Sequence, residues 1–527
     1  MSSIKSVCVI GSGPAGIAAA KALLSQDVDV LMIDPGIGLE KSISNDVSCL
    51  KKKPASEWSS QEKEMLKFGV ESSGKGVKEK LLFGSNFASR EIGRQSYQKV
   101  NTSFYTSLAT RGLANIWGAG ILPMYPEDMA GWPIKFADLE EHYKNVLSFM
   151  PLSGGHDHLE ELFPVYSCAS SHNLSSQAMR MLDKMGRHAD ELANQGFYFG
   201  KSRLAGHFQN PREGLGCQYC GMCLYGCPYG IIYSGQDTLA DLRKDPRFKL
   251  QHGLIVKSMT ETSDRVEVHV TDIHGKQIES LTADRVYLAC GAFSTSRIML
   301  ETMKKYNISL KMKTSDQYYQ PFLSIAGSQD IQNEELHTMS QVFWGIKNKS
   351  ISPYLIHSSV YTYNDLYYST LKNIFGSLST ILKPAINQLL GRLSFAITYL
   401  HSDHSATLDV RLNNNVNKTL SVIGEPNPIS LKIYSDLIKY WSKNFKYTGQ
   451  YPVPFYNGAR LPGSGNHNGG CFPMSKSPKG FETDLLGRVS GLSRIHIVDS
   501  SVFPTITATT LTLSVMANSY RIASTSL

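Results

Sequence analysis

Short apolar runs and one glycine-rich turn define the first 34 residues of the chain. Residues 6–10 form an apolar run that predicts a buried parallel strand, and residues 15–24 predict the helix that follows it. A second apolar run over residues 28–33 predicts another strand. The chain is therefore expected to open with a strand–helix–strand unit.

Later stretches differ in how polar and apolar positions alternate. Residues 40–80 are polar and of mixed charge, and this predicts an exposed excursion. Between residues 250 and 288, alternating positions predict strands joined by a hairpin turn over residues 272–276. Residues 311–459 are rich in tyrosine and β-branched residues, which predicts a second, sheet-based domain.

One segment carries apolar residues at helical spacing from Leu371 to Ile397. Pro384 interrupts it, and this predicts two amphipathic helices. Packing of these helices on the sheet of the second domain is the favoured interpretation. The alternative is an interfacial helix that rests on lipid or roofs a channel for an apolar substrate.

Composition is that of an ordinary globular protein. Of the 527 residues, 42% are hydrophobic and 19% are charged, which is enough for a large core and two or three structural units. The net charge of +8 is mildly basic. Because the chain has neither an arginine-rich arm nor an aromatic-basic module, we expect no nucleic acid partner.

Three observations bear on location. No run of about 18 uncharged apolar residues occurs, so no segment is expected to span a membrane. The first ten residues lead straight into a predicted strand and leave no room for a secretory signal. The nine cysteines, with one dense group, do not form a disulfide framework, which fits a reducing compartment. We expect a cytoplasmic protein, with peripheral membrane contact through residues 371–397 as an open alternative.

The densest chemical signal is a run of cysteines with the spacing C-x2-C-x2-C-x3-C-P, formed by Cys217, Cys220, Cys223 and Cys227. This spacing matches the bacterial ferredoxin run, and soft thiolates select iron–sulfur, zinc or copper(I). The favoured prediction is either a three-iron cluster held by three of these thiolates or a four-iron cluster completed by Cys227 or by a distant thiol, Cys49 or Cys168. Zinc stays an alternative, although the spacing is tighter than in a usual zinc ribbon.

A glycine fingerprint, G-x-G-x-x-G, lies between the first predicted strand and helix at Gly11, Gly13 and Gly16. The first glycine permits a tight turn, the second lets the backbone approach a pyrophosphate, and the third lets helix and strand pack closely. Asp34 ends the second predicted strand, where a carboxylate accepts hydrogen bonds from ribose hydroxyls. In this context the pattern predicts dinucleotide binding.

Three further segments, residues 111–120, 289–300 and 483–504, resemble the glucose–methanol–choline (GMC) oxidoreductases and follow the order found in that family. The resemblance implies FAD as the cofactor. It also places near the cofactor a set of residues spread over these segments, namely Asn115, Trp117, Gly118, Gly291 and Asp499. Residues 111–120 are similar to the segment along the flavin ring, and Asp499 is implied to reach the ribityl or phosphate region.

The fold implied by the resemblance is α/β, and α+β overall. A Rossmann-like FAD-binding domain of GMC type is expected in three parts, residues 1–135, 241–310 and 460–527. Residues 136–240 are expected to form an insertion with the iron–sulfur motif, and residues 311–459 the substrate-binding domain.

The resemblance also implies a catalytic pair. In this family a histidine takes the proton of an alcohol while a hydride passes to flavin N5, and residues 466–474 are similar to the segment that carries this histidine. We therefore assign His467 as the base, since an imidazole accepts a proton near neutrality. The second position, usually histidine or asparagine, falls on Thr510, whose hydroxyl can hydrogen-bond a substrate oxygen. His496 lies in a strand pattern and is interpreted as structural.

Together these features predict FAD-dependent oxidation of a CH–OH group on a sugar or sugar-derived alcohol. Electrons would pass through the iron–sulfur cluster to an external protein or carrier. One alternative is a GMC oxidase or dehydrogenase for a lipid-like alcohol, with structural cysteines. Another, from a different class, is a protein of the same fold that binds a partner or a prenyl group without redox chemistry.

Overall fold

The computed structural model describes residues 6–67, 81–90, 96–167, 170–209, 216–454 and 458–527. Strands and helices are distributed along all but the shortest of these ranges. The strands, in chain order, are β1 (Ser6–Ile10), β2 (Asp29–Asp34), β3 (Tyr97–Val100), β4 (Leu152–Ser153), β5 (Phe197–Lys201), β6 (Leu204–Ala205), β7 (Phe248–His252), β8 (Leu254–Glu261), β9 (Val266–Asp272), β10 (Leu281–Ala283), β11 (Arg285–Leu288), β12 (Leu310–Thr314), β13 (Gln317–Ser324), β14 (Val342–Ile346), β15 (Ile356–Tyr361), β16 (Leu393–Tyr399), β17 (Thr407–Leu412), β18 (Leu420–Glu425), β19 (Gln450–Pro452), β20 (Asn468–Gly469) and β21 (Ile495–Ile497). The helices are α1 (Pro14–Leu24), α2 (Lys41–Leu50), α3 (Ser60–Lys67), α4 (Ala137–Leu147), α5 (Ser176–Gly186), α6 (Ala189–Asn194), α7 (Gln236–Leu242), α8 (Ala292–Thr302), α9 (Asp365–Phe375), α10 (Lys383–Leu390), α11 (Pro428–Thr448) and α12 (Thr512–Thr525).

A parallel sheet surrounds the glycine-rich turn and draws its strands from distant parts of the chain. Its order is β21-β11-β1-β2-β7, and every neighbouring pair is parallel. The central strand β1 is apolar and buried, as expected of a strand covered on both faces. Helix α1 packs on α12, and the hydroxyl of Ser519 donates to the carbonyl oxygen of Ala15 at 2.7 Å.

A second sheet, β20-β12-β17-β18-β3, continues the core of the parallel sheet. Apolar side chains of β12, β17 and β18 belong to the same buried cluster as β1. Strand β20 includes Asn468, so this sheet holds the backbone directly after His467. The amide of Ser315 also donates to the carbonyl oxygen of His467 at 3.1 Å.

The third large sheet, β19-β13-β16-β15-β14-β5, is antiparallel throughout. Side chains of alternate residues point to opposite faces of a strand. One face is apolar, and on it Phe322 packs against Trp441 of α11 with ring centroids 5.2 Å apart. We call the opposite face, which carries His357, Ser359 and Tyr361 on β15, the inner face.

The smaller sheets are the β8–β9–β10 hairpins and the β4–β6 pair. The turn predicted over residues 272–276 is present, since the amide of Gly275 donates to the carbonyl oxygen of Asp272 at 3.0 Å. The polar stretch 40–80 contains α2 and α3, whose surfaces are largely exposed, and its residues 68–80 lie outside the described part of the chain.

The amphipathic segment differs from its prediction at one end. Pro384 lies in the first turn of α10, and the chain between α9 and α10 is broken as predicted. Leu393 and Ile397 were expected in the helix, and this expectation is wrong because both lie in β16. Strand β16 pairs with β13 on one side and β15 on the other, and these hydrogen bonds outweigh the local helical spacing. Among the helices of the described residues, none combines the length and hydropathy needed to cross a bilayer.

Candidate active site

The turn between β1 and α1 is built for glycine. Gly11 has a φ of 99°, and a Cβ placed on Gly16 would lie 1.9 Å from the carbonyl oxygen of Gly11. At Gly13 the nearest atom to such a Cβ is the carbonyl oxygen of Arg111, 4.0 Å away, so this face of the turn is open. No side chain caps α1, which leaves its N-terminal amides free to face an anion.

Asp34 secures this turn from the end of β2. Its carboxylate accepts hydrogen bonds from the amide and hydroxyl of Ser12, at 3.1 and 2.6 Å, and from the amide of Gly36 at 2.7 Å. Burial raises its pKa, and these hydrogen bonds act against that rise. The hydroxyl of Ser12 accepts in turn from the amide of Arg111 at 2.8 Å, so the turn is joined to the segment that begins there.

Residues 111–120 run from this turn toward the inner face. The side-chain amide of Asn115 donates to the carbonyl oxygens of Thr110 and Gly112, and the indole of Trp117 donates to the carbonyl oxygen of Tyr233 at 2.7 Å. Gly118 is exposed, and a Cβ there would lie 3.5 Å from the hydroxyl of Tyr361. The segment therefore lies beneath the inner face with its backbone open to it.

Gly291 and Asp499 meet where β11 turns into α8. The carboxylate of Asp499 accepts from the amide of Gly291 at 2.9 Å, from the hydroxyl of Thr295 at 2.5 Å and from the amide of Ser501 at 2.9 Å. Burial raises the pKa of Asp499. Its present contacts hold the turn in place, and no Cβ at Gly291 would meet an atom within 4 Å, so the turn itself is open.

His467 lies opposite Tyr399 of the inner face. Their rings stack with centroids 4.8 Å apart and planes 22° apart. Burial lowers the pKa of His467 to about 4, so the imidazole is neutral above about pH 5. Its Nδ1 has no hydrogen-bond partner among the described residues, yet the ring keeps some solvent exposure.

Thr510 lies near the inner face, at the end of the 111–120 segment. Its hydroxyl oxygen accepts from the amide of Leu122 at 2.7 Å, which ties the C-terminal block to the end of the 111–120 segment. A Cβ on Gly120 would lie 3.3 Å from Thr510 Cγ2 and 3.1 Å from the ring of Phe343 on β14. Thr510 and Phe343 therefore flank the same glycine.

The inner face supplies residues that the sequence did not single out. Phe343 packs edge-on against His357 at 4.8 Å, and the register of β15 and β16 sets His357 opposite Tyr399. Tyr361 and Tyr399 keep some exposure although burial raises the pKa of both well above the ordinary value. A signal was present in the apolar–polar alternation of β16, but strand register cannot be read from one sequence.

The cysteine run forms a loop that contacts Leu336 and, through its own Tyr225, the start of α9. The amide of Gly221 donates to the carbonyl oxygen of Leu336 at 3.0 Å, and the hydroxyl of Tyr225 donates to Asp365 at the start of α9 at 2.9 Å. Burial raises the pKa of the thiols of Cys220 and Cys227 to about 11 and about 12, and repulsion from Cys223 adds to both.

These thiols are near enough to repel one another's charge, and the pKa of Cys217 is raised by burial and by all three neighbours. Within the described residues, however, no three or more side chains of His, Cys, Asp or Glu are arranged to hold a metal ion. The iron–sulfur cluster therefore does not fit the side chains as they lie. Of the distant candidate ligands, Cys49 is exposed on α2 and Cys168 lies outside the described residues.

An FAD fits the remaining site. The open turn at Gly13 and the uncapped start of α1 suit a pyrophosphate, and the buried carboxylate of Asp34 lies where a ribose would be. The open backbone at Gly118 leaves room for a flat ring beneath the inner face.

Comparison with known proteins agrees with this arrangement. Residues 448–519, which include both His467 and Thr510, match the family model described as GMC oxidoreductase. Among curated proteins no match to the chain was found.

Two solved structures share the fold along nearly the whole chain. Pyridoxine 4-oxidase from Mesorbium loti is 11% identical with a TM-score of 0.61, and 98% of each chain is covered. An FAD-dependent oxidoreductase from Chaetomium thermophilum, solved in complex with a small-molecule fragment, is 11% identical with a TM-score of 0.58 and the same coverage. The C-terminal part of the chain is therefore similar to the GMC oxidoreductase family, and nearly the whole chain has the fold of these two solved oxidoreductases.

Proposed function

We propose that this protein oxidises the CH–OH group of an apolar or aromatic alcohol bound between residues 111–120 and the inner face. The observation that carries the proposal is the neutral imidazole of His467, which stacks on Tyr399 of the inner face. Bound FAD would supply the acceptor for the hydride of the alcohol.

The residues of this chain have separate tasks in that reaction. An imidazole nitrogen of His467 takes the hydroxyl proton, which lets the carbinol carbon release its hydride and become a carbonyl carbon. The Thr510 hydroxyl holds Leu122 and so fixes the end of the segment beneath the substrate. The inner face covers the reacting group and keeps bulk water away from it.

The side chains of the inner face favour an apolar or aromatic substrate over a sugar. Six of the ten side chains at its cross-strand positions are aromatic, and the ten are Gln317, Tyr319, Pro321, Phe343, His357, Ser359, Tyr361, Phe395, Ile397 and Tyr399. Among these described positions none is charged. A sugar site needs many polar groups to replace the water on its hydroxyls, and an aromatic ring needs few.

Helices α9 and α10 connect this face with the outside of the protein. Tyr367 on α9 packs against Phe395 of the inner face at 4.4 Å, while Ile381 and Ile374 are 77% and 68% exposed. Residues 366–402 contain Lys372, Lys383 and Arg392 and no acidic residue. This segment fits the surface of an anionic bilayer, from which a lipid-like alcohol would enter.

The first experiment follows flavin absorbance when alcohols are added to the purified protein without oxygen. The panel is benzyl alcohol, cinnamyl alcohol, 1-dodecanol, D-glucose and D-sorbitol. We expect the apolar alcohols to bleach the flavin, and His467→Ala to keep FAD but reduce it about 10²-fold more slowly. His274→Ala, in the exposed turn of the β9–β10 hairpin, is the control and should react as the wild type does.

Each outcome decides a part of the proposal. Reduction by the sugars alone would replace the substrate class, and unchanged reduction in His467→Ala would remove His467 as the base. A colourless protein that no alcohol changes would favour the non-redox alternative.

The electron acceptor is tested on the same sample. The relay through an iron–sulfur cluster rests on the cysteine spacing alone. Within the described residues the thiols are not arranged to hold a metal ion. About three or four irons per chain, with matching sulfide, would restore the relay. Iron-free protein that forms hydrogen peroxide during turnover would instead identify oxygen as the acceptor.

A further inference from the structure

A cavity of about 250 Å³ lies at the end of the antiparallel sheet where β13 ends and β16 begins. A single water needs about 10–15 Å³ of such space, so the cavity has room for a larger polar group. It reaches the surface, since Arg180 and Ile325 in its wall are exposed. Of the described residues that line it, none belongs to the turn between β1 and α1 or to the segment around His467.

Three cationic side chains line this cavity, and they are Arg180, Lys184 and Arg392. Arg180 and Lys184 are four residues apart on α5, which places them on the same side of that helix. None of the described residues in the cavity wall is acidic, and within the described ranges no carboxylate forms an ion pair with any of the three cations. The acidic residue of α5, Asp183, pairs with Arg187 at 2.6 Å instead. The positive charge of the cavity is therefore not balanced by the protein.

Two of these cations meet at one turn of the backbone. The Nη1 of Arg180 donates to the carbonyl oxygen of Gly327 at 3.1 Å. A Cβ on Gly327 would lie 3.1 Å from Cγ and 3.4 Å from Nε of Arg392. The amide of Ser324 donates to the carbonyl oxygen of Arg392 at 2.9 Å, which fixes the backbone of Arg392 beside this turn. Two guanidinium groups held at one glycine repel each other, and a bound anion relieves that repulsion.

The cations are not needed as caps for the helices that end at the cavity. Basic side chains often have that role, because they hydrogen-bond the last carbonyl groups of a helix. At the end of α10, however, the carbonyl oxygen of Leu390 accepts from the side-chain amide of Gln177 at 2.9 Å. At the end of α11, the carbonyl oxygen of Phe445 accepts from the amide of Gly449 at 2.7 Å. The guanidinium of Arg392 is therefore left for a ligand.

A buried hydroxyl without a partner lines the same cavity. Ser328 is 7% exposed, and its Oγ has no hydrogen-bond partner among the described residues. The Nε of Arg392 also has none. Buried donors are normally hydrogen-bonded, so two unpartnered donors beside three positive charges indicate a ligand that carries several acceptor oxygens.

The structure assigns this cavity as a binding site for a phosphate group, held by charge-assisted hydrogen bonds from Arg180, Lys184 and Arg392. A phosphate offers several anionic oxygens, and guanidinium groups match their geometry. The site takes no part in the oxidation and does not depend on the proposed function. Arg392 follows α10 closely, and Ile325 and Leu389 are exposed near it, so the phosphate of a lipid and a free phosphate both have the chemistry that fits.

Calorimetry with sodium phosphate at low salt tests the site on the FAD-loaded protein. We expect a dissociation constant on the order of 1 mM in the wild type, about tenfold higher in Arg392→Gln and about threefold higher in Lys184→Gln. Lys439→Gln is the control, because Lys439 is an exposed lysine of α11 that pairs with Asp436, and it should bind phosphate as the wild type does. Lys184 is partly exposed on a helix, so its variant keeps the test available where Arg392→Gln does not fold.

A second ligand distinguishes the two sources of phosphate. The compound 1,2-dibutyryl-sn-glycero-3-phosphate carries the same group on a short lipid that stays dissolved as single molecules. Binding about tenfold tighter than that of inorganic phosphate, and weakened by Ile325→Ser, would support the site and identify a lipid as the source. Equal affinity for both ligands would support the site and identify a free phosphate.

Two results would overturn the assignment. One is a wild type that binds neither ligand at low salt. The other is an equal loss of affinity in Lys184→Gln, Arg392→Gln and Lys439→Gln, which would show that only the net charge of the protein attracts phosphate. Flavin reduction by alcohols should be unchanged in Lys184→Gln, so the site and the proposed function are tested separately.

Discussion

At the scale of single residues, the space around each Cα decides which glycines near the turn between β1 and α1 can be changed to alanine. A Cβ on Gly16 would overlap the carbonyl oxygen of Gly11 at 1.9 Å, and that oxygen belongs to backbone, which cannot move aside without parting α1 from β1. Gly38 lies in the loop between β2 and α2, and a Cβ there would meet no atom within 4 Å.

Gly16→Ala is therefore expected to lower the FAD content and to reduce the free energy of unfolding by about 1–3 kcal/mol. Gly38→Ala is the control and should leave both unchanged. FAD bound per chain and urea unfolding measure the two effects. A Gly16→Ala protein with full FAD content and wild-type stability would show that the turn relaxes more easily than its geometry indicates.

Residues also differ in how far the sequence could identify them. Gly11, Gly13 and Asp34 follow from local spacing, because strand, turn and helix are consecutive in the chain. Arg180 and Arg392 could not be found in this way, since only the tertiary fold brings both to Gly327. The cysteine spacing predicted a cluster, but the side-chain positions, which spacing does not determine, do not form one.

At the scale of elements, the α9–α10 segment shows how local periodicity and sheet pairing compete. The spacing predicted two helices and the break at Pro384, but not that Leu393 would start a strand between two others. The segment was expected to pack on the second domain. Only one side of it is buried, at Ile386 and Leu390 of α10. The other side is apolar and exposed.

This exposed side predicts binding to anionic lipid. Vesicles of phosphatidylcholine with about one-third phosphatidylglycerol should retain the protein in a flotation assay, and less at high salt, because screening weakens attraction of the lysines. Ile381→Asp should reduce the bound fraction several-fold, since Ile381 is 77% exposed. Val416→Asp, at a residue that is 95% exposed in the β17–β18 loop, is the control. Equal loss in both variants, or binding that neither lipid charge nor salt affects, would contradict membrane contact through α9 and α10.

At the scale of the whole molecule, buried imidazoles connect stability with pH. Burial lowers the pKa of several histidines to about 3 or 4, and they are His337, His357, His467 and His496. In the unfolded chain each would titrate near 6.5, so between about pH 6.5 and pH 4 the unfolded state binds more protons. The stability from these groups is complete above about pH 6.5 and is lost as the pH falls. Carboxyl groups act in the opposite direction, because burial raises the pKa of Asp128 to about 7 and also raises the pKa of Asp34, Asp157, Asp316 and Asp499.

We therefore expect the free energy of unfolding to fall between pH 7 and pH 5, with each imidazole contributing about 1 kcal/mol per pH unit. Urea unfolding at the two pH values measures it. His496→Gln removes one such group away from His467, where His496 stacks on Tyr287, and should flatten the dependence by about that amount. A pH dependence that is the same in His496→Gln as in the wild type would contradict the contribution of this buried histidine.

The pairing of α1 with α12 has a consequence for synthesis. The hydroxyl of Ser519 and the carbonyl oxygen of Ala15 that it contacts are 504 positions apart in the chain. At about 5–20 residues per second, a ribosome needs about 25–100 seconds to make the intervening residues. Until then the first helix lacks its partner and the parallel sheet lacks β21 at its edge. The turn between β1 and α1 is translated early, but the elements packed around it are complete only when α12 has been made. Flavin loading is therefore expected to follow the end of translation.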